Sequence, residues 1–173
     1  MKHISFLLSA AAMLALSSCS QNTRTTDAKG TTDTVTTEVS ATEEKGLFAD
    51  MSIKDTVKVG ELVTLKFTVH NNADSVQQFC KWHTPFEPWI SKYLDIKDET
   101  GEEVAYKGAM AKRIMPPPAD SYLKVNSKDS LSVEVDLLKG YNITKPAKYT
   151  VVYNSQSMSG LIVKDSISFV YSK

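Results

Sequence analysis

The chain has 173 residues, 42% of them hydrophobic and 9% aromatic, and its 20 basic side chains balance its 20 acidic ones. Proteins that bind nucleic acid carry clustered Lys and Arg, so the lack of a basic stripe in this sequence argues against a nucleic-acid partner. A balanced charge gives no support to acidic substrates either.

The first 18 residues have the order of a secretory signal peptide. One cation, Lys2, precedes an apolar run over residues 4–16, and two small residues, Ser17 and Ser18, follow it. A membrane-spanning helix needs about 20 apolar residues, so this run is too short to be one. Residues 1–18 are therefore predicted to be a signal.

The string Leu16-Ser17-Ser18-Cys19 resembles a bacterial lipobox, in which the cysteine becomes the lipid-bearing first residue of the mature chain. We therefore expect lipid on Cys19, which would anchor the protein to the bacterial cell envelope. Ser20 resembles the context that favours sorting to the outer membrane. The alternative is an ordinary signal peptide with a chance cysteine at this position.

Residues 20–46 contain no aromatic residue and are crowded with threonine. Such a segment cannot bury enough apolar surface to offset its chain entropy, so residues 19–46 are predicted to be the lipidated cysteine and a disordered tether. A tether carrying sugars on its threonines is the alternative. With Cys19 lipidated, Cys80 has no disulfide partner, and its apolar neighbours predict a buried, inert thiol.

Residues 47–173 are long enough for one domain with a single core. Apolar and polar residues alternate there, which is typical of half-buried strands, and no stretch shows sustained helical spacing. The alternating positions are Leu47, Ala49, Met51 and Ile53; Val63, Leu65, Phe67 and Val69; Leu131, Val133, Val135 and Leu137; and Ile167, Phe169 and Tyr171, with a β-branched and aromatic run at 149–153. Turn residues separate the strands at 58–61, 71–74, 98–101 and 126–129. The pattern predicts an all-β, immunoglobulin-like antiparallel β-sandwich, with Trp82 as a core residue between the sheets.

Two segments interrupt the alternation, the loop after Trp82 at residues 83–88 and residues 109–119, and we expect both to be exposed. The second contains three consecutive prolines, which favour a stiff polyproline II path and cannot donate to a sheet. A rigid loop bearing Lys112 and Arg113 would make a low-entropy recognition element. The alternative is an edge crossover, in which proline blocks aggregation between sheets.

No set of residues predicts catalysis or a cofactor. Cys80, His83 and Glu87 offer a thiol, an imidazole and a carboxylate at short spacing, but no second pair of ligands follows, so no metal site is predicted. The sequence lacks the H-E-x-x-H helix of zinc peptidases and the G-x-S-x-G elbow of serine hydrolases. We therefore expect no enzyme activity.

Several short strings within the domain resemble one protein family. They are KWHTPFE at residues 81–87, Tyr106 with Gly108, Lys112 and Arg113 ahead of the prolines, Asp120 with Tyr122, Asp136 with Leu137, and Pro146 followed by Tyr149, Thr150, Val151 and Tyr153. Together they are similar to the N-terminal β-sandwich region of secreted deuterolysin-type zinc peptidases, particularly bacterial peptidyl-Lys metalloendopeptidases. In that family this region precedes the peptidase domain and is regarded as a pro-region or folding partner. The similarity covers about residues 47–154.

The sequence departs from that family in three ways. It ends without a peptidase domain, and the family's zinc ligands and catalytic glutamate have no counterpart positions here. Pro88 follows the glutamate, and Asn126-Ser127 stands where Pro-Gly would be expected in a turn. The resemblance therefore implies a binding role and not proteolysis.

The leading hypothesis is a lipid-anchored, non-catalytic protein-binding module, acting as a free-standing pro-domain, inhibitor or chaperone of a secreted metallopeptidase. Aromatic and arginine side chains often anchor protein interfaces. The predicted contact residues are Trp82, His83, Thr84, Pro85, Phe86, Glu87, Lys112 and Arg113. The alternative is a structural envelope lipoprotein that spaces or scaffolds other proteins. A third hypothesis, a small metallohydrolase, requires a bound metal.

Overall fold

The computed structural model describes residues 46–173. The predicted signal, Cys19 and the threonine-rich tether lie outside the described residues. The strands are β1 (Leu47–Ile53), β2 (Thr56–Lys58), β3 (Thr64–Asn71), β4 (Gln77–Cys80), β5 (Leu94–Asp98), β6 (Tyr122–Val125), β7 (Ser130–Asp136), β8 (Ala147–Tyr153) and β9 (Ile167–Ser172). Two four-residue helices, α1 (Leu137–Gly140) and α2 (Gln156–Ser159), and a 3-10 turn at Ala119–Ser121 lie between strands. No helix within 46–173 is long and apolar enough to cross a membrane.

The strands form three hydrogen-bonded groups. β1, β3 and β7 make a three-stranded sheet in that order, and β2, β9, β8 and β5 make a four-stranded sheet. β4 and β6 pair with each other as a two-stranded sheet. The predicted all-β sandwich is confirmed, and its core lies between the inner faces of the two larger sheets.

One strand pair departs from the predicted antiparallel arrangement. β2 runs parallel to β9, with Thr56 opposite Val170, whereas the other paired strands are antiparallel. β1 ends at Ile53 in the three-stranded sheet, and β2 begins three residues later in the four-stranded sheet. The chain therefore changes sheets within one extended segment, and its second half meets β9 in the parallel sense.

The apolar positions predicted by alternation line the core. Val63, Leu65, Phe67 and Val69 have no exposed surface, and on β9 Phe169 is only 1% exposed. Burying one such side chain contributes about 1.5–3 kcal/mol to stability. The apolar side chains on the inward face of each strand thus hold the two larger sheets together.

Trp82 does not have the predicted position between the two sheets. It is buried, but it lies in the turn after β4 and is not part of the central cluster. Rings from other elements fill the centre, including Phe67 packed against Tyr153 at a centroid distance of 5.6 Å. The strand that precedes Trp82, β4, belongs to neither of the two larger sheets and pairs with β6.

Tyr149 makes the tyrosine corner of this sandwich. Its hydroxyl donates to the carbonyl of Lys145, four residues upstream, at 2.7 Å. The same local bond occurs near the start of strand F in immunoglobulin-like sandwiches. β8 is therefore the counterpart of that strand.

Asn71 stabilises the bend between the main sandwich and the β4–β6 ribbon. Its amide nitrogen donates to the carbonyls of Ser75, Val125 and Asn126 at 2.9, 3.0 and 2.9 Å. Asn71 is fully buried, so these bonds satisfy a polar group that would otherwise be costly to bury. The bend leads into β4, whose Phe79 joins the core, and the loop after β4 packs its Phe86 edge-on against Phe67 at a centroid distance of 6.3 Å.

Candidate functional site

The loop at residues 82–87 is closed by Thr84. The Thr84 hydroxyl donates to the Lys81 carbonyl at 2.6 Å and accepts from the Phe86 amide at 3.2 Å. The Glu87 amide donates to the Thr84 carbonyl at 3.3 Å. Hydroxyl side chains commonly form such local turns, and here the turn folds the loop back on itself.

The prediction that residues 83–88 are exposed was wrong for most of this loop. Thr84 has no exposed surface, Glu87 is 8% exposed and Pro85 is buried, whereas Pro88 is exposed. Trp82, which begins the turn, is buried as predicted, at 8% exposed. Phe86, half-buried, packs edge-on against Phe79 at a centroid distance of 5.4 Å. The loop is part of the packed body of the domain.

Arg113 pairs with Glu87 in this buried region. Its Nη2 donates to both carboxylate oxygens of Glu87, and the two side chains are only 15% and 4% exposed. The guanidinium carbon lies 4.8 Å from the centroid of the Trp82 ring, a cation–π distance. Three of the predicted contact residues, Trp82, Glu87 and Arg113, therefore contact one another in a buried cluster, which we call the clasp.

His83 adopts an unusual backbone conformation next to this clasp. Its φ of 57° lies in the left-handed region, which residues other than glycine seldom adopt. Its amide donates to Glu87 Oε2 at 3.3 Å, and its carbonyl accepts from the Tyr153 hydroxyl at 3.0 Å. Burial, with the positive charge of Arg113 adding to it, lowers the pKa of His83, while burial raises the pKa of Tyr153 to about 12.

Residues 109–119, which we call the proline arm, are exposed as predicted. The amides of Ala109 and Ala111 donate to the carbonyls of Trp89 and Ile90 at 2.9 and 2.8 Å, which fixes the start of the arm. Lys112 is exposed, whereas Arg113 points inward to Glu87. The two adjacent cationic side chains therefore differ in environment, because Lys112 faces solvent and Arg113 faces the interior of the domain.

The most exposed apolar side chains of the arm were not among the predicted contact residues. Met110, Ile114 and Met115 are 70%, 85% and 63% exposed. The sequence signal was present, because these three large apolar residues lie in a segment without strand alternation and next to prolines. The contact residues predicted in this segment were instead its charged ones, Lys112 and Arg113.

A stacked aromatic cluster supports the base of the arm. Trp89 lies parallel to Tyr93 at a centroid distance of 5.0 Å and meets Tyr141 edge-on at 5.7 Å. Gly140 packs so closely that a Cβ there would lie 2.5 Å from the Trp89 ring. The Trp89 carbonyl that holds Ala109 is therefore on a rigid support.

The geometry gives Cys80, His83 and Glu87 no shared centre. Cys80 is a buried free thiol, and Glu87 is engaged by Arg113. Within the described part of the chain, no three His, Cys, Asp or Glu side chains are grouped closely enough to hold a metal ion.

The solved structures that resemble this chain include the following two. An alkylpurine DNA glycosylase of Pseudomonas fluorescens, bound to DNA containing an abasic site analog, is 13% identical with a TM-score of 0.39, over 75% of this chain and 31% of that one. The CARDB domain of a Pyrococcus furiosus protein, in complex with di-metal ions, is 11% identical with a TM-score of 0.32, over 75% of this chain and 89% of that one.

An uncharacterized secreted protein of Arthroderma benhamiae is 26% identical to this chain over 105 residues, which are 58% of this chain and 54% of that protein. The chain thus spans about half the length of the relative that it matches. A protein family described as an immunoglobulin-like domain matches residues 50–159, more than half of the chain. In sequence, as in its sandwich and tyrosine corner, the chain belongs to this family of immunoglobulin-like domains.

Proposed function

We propose that this chain is a non-catalytic, lipid-anchored protein-binding module of the bacterial cell envelope, and that the proline arm is its contact surface. The observation that carries the proposal is the exposure of Met110, Ile114 and Met115 on one short segment. Neighbouring exposed apolar side chains often mark interaction sites. The flexible thioether side chains of Met110 and Met115 adapt to irregular surfaces. The β-branched side chain of Ile114 has few rotamers and is already restricted before binding.

The rigidity of the arm supports this role. Ordering side chains on binding costs about 0.5–1.5 kcal/mol each, so a segment that is ordered beforehand binds at lower cost. Backbone bonds to Trp89 and Ile90 hold the start of the arm, the Arg113–Glu87 pair holds its middle, and three prolines restrict the rest. The apolar side chains are thus presented on a restrained backbone.

The loop at residues 82–87 has a supporting role in this proposal. Trp82, Thr84, Pro85 and Glu87 are too buried to touch a partner without unfolding. Trp82 and Glu87 instead hold Arg113 and, through it, the arm. Lys112, which is exposed beside Arg113, is the charged group at the rim of the contact surface.

We infer that the partner is a secreted metallopeptidase, bound by a free-standing pro-domain, inhibitor or chaperone. The resemblance of residues 81–87, 112–113 and 146–153 to a peptidase pro-region supports this partner. A location outside the cytoplasm agrees with it, since the relative in Arthroderma benhamiae is a secreted protein. Lipid on Cys19 would hold the complex at the envelope, with the outer membrane as its site.

Binding to a co-encoded secreted metallopeptidase tests the proposal. The chain from residue 20 onward is mixed with the peptidase, and both complex formation and peptide hydrolysis are measured. We expect a complex that Ile114→Ser weakens by about tenfold or more, as is usual for an interface anchor. Leu62→Ser is the matched control, because Leu62 is 66% exposed outside the arm.

Two results would oppose the proposal. The first is no complex at micromolar concentration together with unchanged hydrolysis. The second is an equal loss of binding in Ile114→Ser and Leu62→Ser, which would show nonspecific hydrophobic association and no specific contact surface. A scaffold of the envelope would give the first result and would lose none of its associates on Ile114→Ser.

A further inference from the structure

β7 lies at the edge of the three-stranded sheet. Its seven residues pair with β3 in unbroken antiparallel register, from Ser130 opposite His70 to Asp136 opposite Thr64. Among the described residues, no other strand pairs with β7. The backbone groups along the edge of β7 that is not paired with β3 therefore point away from the sheet.

The backbone hydrogen bond beyond the end of this ladder shows which residues face outward. The Leu137 amide donates to the Val63 carbonyl at 2.9 Å, and this pair continues the register of β7 with β3. Antiparallel pairs alternate between hydrogen-bonded and non-hydrogen-bonded ones, so the odd-numbered residues of β7 bond to β3. The amides and carbonyls of Ser132 and Glu134 consequently point away from the sheet.

This edge lacks several of the features that protect an edge strand. Natural proteins place proline, charged side chains, above all lysine, or a bulge there to prevent pairing with another strand. β7 has the sequence SLSVEVD, which contains no proline and no lysine, its register with β3 has no bulge, and its two charges, Glu134 and Asp136, both lie near its end. Its inward side chains Leu131, Val133 and Val135 are only half-buried, so a further strand would cover more of them.

We propose that β7 pairs with β7 of a second copy of this chain, antiparallel, about a two-fold axis at Val133. Ser132 then faces Glu134 of the other copy, and these outward-pointing residues exchange both backbone bonds. Leu131 faces Val135, which joins the two apolar inner faces. The result is a continuous six-stranded sheet across a closed dimer.

The strand itself favours this occupant and this register. With Val133 on the axis all seven residues overlap, and no residue faces a like charge. A shift by one residue that places Glu134 on the axis sets two carboxylates opposite each other, which is destabilising. A shift that places Ser132 on the axis leaves the Val135–Asp136 end beyond the partner strand. Within each copy, Lys66 lies across from Glu134 in the register of β3 with β7.

Charge substitutions at Ser132 test the pairing by analytical ultracentrifugation of the chain from residue 20 onward. Ser132 is exposed, and any replacement loses the same 3.1 Å contact with the Thr68 hydroxyl, so the variants are matched. Ser132→Glu places a carboxylate opposite Glu134 twice in the dimer and should weaken dimerisation by about tenfold. Ser132→Lys should leave the dimer intact or tighter.

The double variant Ser132→Glu with Glu134→Lys restores opposite charges and should restore the dimer, whereas Ser52→Glu on the exposed face of β1 should not affect it. A wild-type chain that stays monomeric at high micromolar concentration would overturn the proposal. A dimer whose dissociation constant is the same in wild type and in all these variants would also overturn it. In a monomer, slow hydrogen exchange at the amides of Ser132 and Glu134 would assign the edge to another segment of the same chain. The dimer interface and the proline arm can fail independently, since β7 and the arm share no residue.

Discussion

Arg113 lies over the ring of Trp82 and donates to Glu87, so a single side chain joins the proline arm to the loop that follows β4. Arg113 and Glu87 are 26 residues apart in the chain. Both side chains are largely buried, and a charge buried in this way depends on its partner.

Replacing Arg113 by Ala should lower the free energy of unfolding by about 3–5 kcal/mol, because it leaves the Glu87 carboxylate buried without its cation. Urea unfolding of the two chains measures the difference. Lys112→Ala is the matched control, since Lys112 is exposed and should change stability by no more than about 0.5 kcal/mol. Equal stability of the two variants would contradict a buried clasp.

His83 should make the stability of the domain depend on pH. Burial and the Arg113 charge lower the folded-state pKa of His83 from its ordinary value of 6.5. The unfolded chain then binds a proton where the folded chain does not, so the free energy of unfolding falls as pH drops below about 6.5. The fall levels off once the folded imidazole is protonated too.

Urea unfolding at pH 7 and about pH 5.5 checks this dependence in wild type and in His83→Asn. Asn tolerates the left-handed backbone at this position, so the substitution removes the imidazole without adding strain. The fall with pH should be smaller in His83→Asn than in wild type. The same fall in both chains would rule out His83 as its source.

Gly140→Ala should destabilise the domain by about 1–3 kcal/mol, the usual cost of overpacking. The new methyl group would lie 2.5 Å from the Trp89 ring, so either the ring or the backbone must move. Thermal unfolding in a double-mutant cycle with Trp89→Leu measures the coupling. The smaller side chain should relieve part of the cost, and strictly additive effects would argue against this contact.

Cys19→Ser should abolish labelling of the chain by radioactive palmitate in bacterial cells and move the chain from the membrane fraction to the soluble fraction. Acyl chains provide the anchoring energy, about 0.8 kcal/mol for each buried methylene group. Cys80→Ser should keep the label, because the Cys80 thiol is buried in the folded domain. Palmitate on a Cys19→Ser chain would contradict the lipobox interpretation.

The candidate site could be predicted only in part. Exposure of the proline arm followed from its prolines, which are a local property of the chain. The loop at residues 83–88 was expected to be exposed because it interrupts the strand alternation and contains two prolines. Its burial depends on Arg113 and Tyr153, which supply hydrogen bonds from distant positions in the sequence.

The amino-acid sequence alone determined the longer strands β1, β3, β7, β8 and β9, because alternation of apolar and polar residues follows from the two-residue repeat of a β-strand and needs no distant partner. The shorter strands β2, β5 and β6 were not predicted, since so few residues show little alternation. The predicted strands were enough to determine the all-β class. Only the tertiary structure decided that β2 joins β9 in parallel, that β7 is left at an edge, and that Arg113 turns inward while Lys112 stays outside. Each of these depends on which elements meet in space, and burial or pairing with a residue far along the chain leaves no periodic signal in the sequence.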